Sequence, residues 1–70
     1  MSLNQIPRDK NGKPLNFGQI VEGIFSNGMG PPKLVIGKWV VSAGLGKSLI
    51  EDAEGRHYVV ENKTIEIKID

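Results

Sequence analysis

The chain has no cysteine, and among its 70 residues only one histidine (His57), one tryptophan (Trp39) and one tyrosine (Tyr58). Each scarcity removes an option. Without thiols there is no disulfide. A single imidazole leaves a tetrahedral zinc site without its usual sulfur and nitrogen ligands. No metal and no cofactor are therefore expected. The lack of cysteine fits a reducing compartment. Residues 1–8 hold no apolar signal core, and no run approaches the roughly 20 apolar residues of a membrane span. The expectation is a cytoplasmic protein with no membrane partner.

Excess charge of either sign is also missing. Nine basic residues face eight acidic ones, for a formal charge of +1, which gives no general pull toward nucleic acid. The distribution is less even. The chain carries +4 through Lys47 and −3 from Ser48 onward, a polarity that can steer a partner unless the halves interleave.

At this length a chain buries only about 60% of its unfolded surface, and the net stability of such a core is about 3–5 kcal/mol. One domain over residues 1–70 is expected. Residues 1–15, broken by Pro7, Asn11-Gly12 and Pro14, read as a polar arm, either a flexible tail or an irregular segment laid over the core, with Leu3 and Ile6 as the available anchors.

Phe17, Ile20, Val21, Ile24 and Phe25 recur at helical spacing. Asn16 suits an N-cap with Gln19 three residues on, and Gly28 suits a stop. This predicts a short helix over about residues 17–27, although Gly18 and Gly23 each cost about 1 kcal/mol inside it.

Residues 27–32, Asn-Gly-Met-Gly-Pro-Pro, read as a loop. The remainder of the chain reads as four strands, over residues 33–42, 48–53, 56–61 and 64–69. Gly37 is taken as a bulge that aligns Leu34 and Ile36 with Trp39 and Val41. In the last strand Ile65, Ile67 and Ile69 are expected to face inward. The predicted fold class is α+β, one short helix on a four-stranded antiparallel meander. The alternative is an all-β SH3-like barrel with residues 18–25 as its first strand.

Reactive chemistry is sparse. Gly44-Leu45-Gly46-Lys47-Ser48 resembles the end of a phosphate loop, but Val41 stands where the motif needs glycine and no helix comes after it. It reads as a β-turn. Asp9-Lys10-Asn11-Gly12 lacks the first and last ligands of a calcium loop. His57, Ser48 and Asp52 are near in sequence, but so short a monomer rarely builds a water-excluding pocket. Gly18-Gln19-Ile20-Val21 resembles a fragment of the small plasmid-borne dihydrofolate reductases, oligomers with a pore site. Their Val-Gln-Ile-Tyr segment has no counterpart, so the assignment is rejected and no enzyme is predicted.

The expected function is that of a small non-enzymatic binding or modulator domain acting on a protein partner, with homodimerisation as a further route. Val35, Val40 and Ile50 exceed what one sheet face can bury, and Met29 lies in an adaptable loop. These four are the candidate contact residues. The last strand, guarded by Lys68, is the candidate pairing edge. The second reading is nucleic-acid binding through Lys38, Trp39, Arg56 and Tyr58, a basic and aromatic stacking platform. Its rival places Trp39 in the core with Phe17 and Phe25 packed on it.

Overall fold

The computed structural model describes residues 6–70. Its five strands are β1 (Ile20–Phe25), β2 (Lys33–Gly44), β3 (Lys47–Asp52), β4 (His57–Glu61) and β5 (Glu66–Ile69), with a 3-10 turn at Asn62–Thr64. They form one antiparallel sheet in the order β4-β3-β2-β1-β5. No described helix is long and apolar enough to cross a membrane.

The predicted helix does not exist, and the all-β alternative fits better. Residues 20–25 are extended, with Val21 and Gly23 buried and Glu22 and Ile24 turned outward. The local cue was partly sound, because Asn16 N–H donates to Gln19 Oε1 at 2.7 Å, one half of a capping box. Gly18, at φ +94°, then redirects the chain. Ile20, Val21 and Ile24 are β-branched and prefer the pleat of the strand they form.

The last strand is also misplaced by a simple meander. β5 lies beside β1, not β4. In a flat sheet β4 and β5 would stand about 19 Å apart. The link of residues 62–65, mostly wound at about 2 Å per residue, cannot span that distance. The sheet is therefore rolled, which brings β1 into contact with β4 across the core. No ladder joins β4 to β5, and the sheet stays open.

The roll bends β2. Its first half, Lys33 to Lys38, pairs with β1, and its second half, from Gly37 onward, pairs with β3. Gly37 sits at this corner. The register shift expected there occurs instead between Trp39 and Val41. Val35, Gly37 and Trp39 consequently share the inner face, and Leu34 and Ile36 lie outside. The core comprises Leu15, Val21, Val35, Trp39, Ile50, Val60 and Ile65, with Phe25, Tyr58 and Ile67 packed against it. Ile65 is buried as expected, but Ile69 is exposed.

The arm is ordered over its described part. Arg8 pairs with Pro14, and Lys10 N–H donates to Ile65 O. Buried Asp9 holds the arm. Its carboxylate accepts from Asn11 N and Lys13 N at 2.9 and 2.8 Å, and from Ile67 N at 3.4 Å. Leu15 anchors the far end, and Ile6 is exposed. Leu3 lies outside the described residues.

Asp9→Ala should release the arm. The expected loss is about 2 kcal/mol, because charge-assisted bonds to a buried carboxylate are each worth about 1.5–3 kcal/mol and the freed amides recover part of that from water. Asp9→Asn, which keeps the Oδ1 acceptor, should lose less than half as much. Amide exchange at Asn11, Lys13 and Ile67 checks this. Equal protection in Asp9→Ala and the native chain would refute it.

Candidate protein-binding surface

The outer face of the rolled sheet carries more apolar surface than it can cover. Ile24 and Leu34 are directly opposed in the β1–β2 ladder, and Ile36 stands two residues along on the same face. They are 44%, 55% and 55% exposed. The inner positions of the same two strands are filled by Val21, Val35 and Phe25, and among the described residues no element covers these three. Cross-strand neighbours at this spacing form one contiguous patch.

The patch runs into a shallow groove of about 570 Å³, floored by Ile20, Ile36 and Gly37 and walled by the β3–β4 turn. Lys38 and the carboxylates of Glu51, Asp52 and Glu54 line it, and Arg56 pairs with Glu54 from the turn. Asp52 also builds the turn, its Oδ1 accepting from Glu54 N and Arg56 N at 3.0 and 2.9 Å. Lys38 approaches Glu51 at 3.9 Å and lies 5.1 Å from the centre of the exposed Phe17 ring. The loop of residues 26–32, with Met29 almost fully exposed, borders the patch at the β1–β2 end.

Two of the contact residues expected from the sequence are elsewhere. Val35 and Ile50 are buried, because the strand keeps its alternation through Gly37 and both point inward. Val40 is half-buried at the register shift, and Met29 alone is fully available. Ile24, Leu34 and Ile36 were missed. Unbroken alternation from Leu34 to Trp39 would have found the latter two.

The residues of the proposed stacking platform are not brought together. Trp39 is only 7% exposed, in the core, and among the described residues its Nε1 has no hydrogen-bond partner. Tyr58 packs edge-on against Phe25 at 5.2 Å and accepts from Lys33 Nζ at 3.1 Å. Lys38 stands on the opposite face, and Arg56 pairs with Glu54 in the turn. Phe17, expected on Trp39, is exposed.

Nor do Ser48, Asp52 and His57 converge. Ser48 is fully buried and its hydroxyl donates to Asn62 Oδ1, whereas His57 opposes Glu51 on the outer face. The Gly44-to-Ser48 segment is a hairpin turn in which Leu45 adopts φ 56° and points into solvent. Among the described residues no group of three His, Cys, Asp or Glu side chains is placed to hold a metal.

No protein-family model, curated protein or solved structure matches the chain.

Proposed function

We propose that the protein is a non-enzymatic binding module that docks a protein partner on the outer sheet face, at Ile24, Leu34 and Ile36. One observation supports this reading: three large aliphatic side chains stand side by side on the sheet, about half exposed, with no covering element among the described residues. In the adjoining groove Lys38 pairs with Glu51 and Arg56 with Glu54, which leaves the Asp52 carboxylate as the acidic group of its wall among the described residues. A partner that fits presents an aliphatic anchor flanked by Lys or Arg. Neutralising rim charges supplies rate and orientation, and the buried aliphatics supply affinity.

The test compares the native chain with Leu34→Ser/Ile36→Ser as bait, after circular dichroism shows both to be folded. Each lost anchor should weaken retention of a discrete partner roughly tenfold, the equivalent of about 1.4 kcal/mol. Equal retention by the two baits, or no discrete partner for the native chain, would overturn the assignment.

A further inference from the structure

The two edges of the sheet are treated differently. β5 was the expected pairing edge, yet the arm lies along it. Ile67 N–H donates to Asp9 Oδ2, Lys10 N–H donates to the preceding Ile65 O, and Lys68 pairs with Glu22 at 3.4 Å. β4, at the other end, is short and carries Glu61 but has few other protections among the described residues. Its sequence, His-Tyr-Val-Val-Glu, contains no lysine, proline or bulge. Among the described residues, no hydrogen bond outside the ladder with β3 reaches the backbone of residues 57–60.

The ladder's phase fixes which groups face outward. Asp52 N–H donates to Arg56 O at 2.9 Å, and Asn62 N–H donates to Gly46 O at 2.8 Å. Hydrogen-bonded pairs alternate in an antiparallel ladder. The bonded pairs between these ends are therefore Ile50 with Tyr58 and Ser48 with Val60. His57, Val59 and Glu61 turn their N–H and C=O groups away from β3, and all three side chains are exposed on the outer face.

We infer that β4 pairs antiparallel with β4 of a second copy of this chain, about a two-fold axis through Val59. The register is self-complementary. Val59 meets Val59 of the second copy, and His57 meets Glu61 of the second copy at both ends. All three positions are of the outward-bonding kind, which allows about four new backbone hydrogen bonds to unoccupied groups and two more to Glu61 O, which already accepts from the Thr64 hydroxyl at 2.7 Å.

The neighbouring strands extend the match. Val41, Leu49 and Val59 form one cross-strand row, which pairing continues into the same row of the second copy as a single apolar stripe. The adjacent row reads Lys38, Glu51, His57, then Glu61 and Lys47 of the second copy. The His57 imidazole then stands between the Glu51 carboxylate and that of Glu61 of the second copy. Lys38 and Glu51 belong both to this row and to the groove beside the Ile24, Leu34 and Ile36 patch, but neither row uses the three aliphatics, so the Leu34→Ser/Ile36→Ser and Val59 variants test the two surfaces separately.

Sedimentation equilibrium tests the pairing. An interface this small should give a dimer with Kd of order 10–100 μM. Val59→Pro removes an outward N–H without touching the β3 ladder, so it should stay folded and become monomeric. His57→Glu should weaken the dimer at least tenfold, and adding Glu61→Lys should restore it. Register is read separately. Paired Cα atoms at such positions lie about 5.5 Å apart, within disulfide reach. The otherwise cysteine-free chain should cross-link as Val59→Cys and not as Glu61→Cys, whose two copies would lie about 14 Å apart. A native chain still monomeric at about 1 mM, a folded Val59→Pro that dimerises like the native chain, or cross-linking of the two cysteine variants at equal rates would each overturn the proposal.

Discussion

Gly37→Ala should cost about 3 kcal/mol, most of the net stability available to a domain of this size. An added Cβ would lie 2.3 Å from Glu51 O and 2.8 Å from its carbonyl carbon. Both are backbone atoms, so no side-chain rotation relieves the clash. The corner of β2, where pairing passes from β1 to β3, would have to open. The sign matters. Where geometry permits, exchanging glycine for alanine stabilises by about 0.4–1 kcal/mol through the unfolded chain, so a loss of several kcal/mol isolates the close approach of the strands. Urea unfolding tracked by Trp39 fluorescence is the direct measurement. A midpoint equal to or above the native one would show that the corner does not need glycine. Opening it would also move Ile36 relative to the β3–β4 turn and so widen the groove proposed to hold the partner.

That corner explains which parts of the fold were legible. The strands after residue 32 were found to within a few residues because β-branched runs separated by Gly and Asn turns constrain the chain strongly. Helix was read over residues 17–27 because Phe17, Ile20, Val21, Ile24 and Phe25 satisfy a period of 3.6. Only Val21 and Phe25 of that set reach the core, and Gly23 supplies the inner position between them without a side chain. A buried glycine leaves a gap in the alternation, and the gap imitates helical spacing. Placement of β5 was illegible for another reason. It depends on how far the sheet rolls, which is a property of all the strands together.

The exposed aliphatics on β2 lie one residue away from those expected. The number of aliphatics on β2 suggested that some lie exposed, but a slip placed at Gly37 exchanged the faces of everything before it. In a strand of period two, one residue turns Val35 inward and Leu34 and Ile36 outward. Val35→Glu would thus probe the core and unfold the chain, whereas Leu34→Ser and Ile36→Ser leave the core intact. The arm's anchor escaped notice because it is polar. Asp9 reads as a turn residue, and its bond to Ile67 spans 58 positions that no local pattern reports.

The second large effect concerns the layer where the rolled sheet meets itself. Ile50 is fully buried, and its Cδ1 would lie 3.3 Å from a Cβ built at Gly23, with Val60 Cγ2 at 3.0 Å and Ile65 Cγ1 at 3.4 Å. Gly23 thereby lets β1 close over β3 and β4. Ile50→Ala should cost about 3 kcal/mol, within the usual range for truncating a core isoleucine, and leave a void beside Gly23. Gly23→Ala alone should cost about 1–2 kcal/mol by overpacking. Combined, the two changes should cost about 1 kcal/mol or more less than their sum, because the new methyl enters the space that Cδ1 vacates. Rescue stays partial, since Val60 still crowds the site. Urea midpoints of the four proteins close this cycle. Strict additivity would mean that β1 does not pack against Ile50 through Gly23, and the rolled sheet that presents the outer face would lose its central contact.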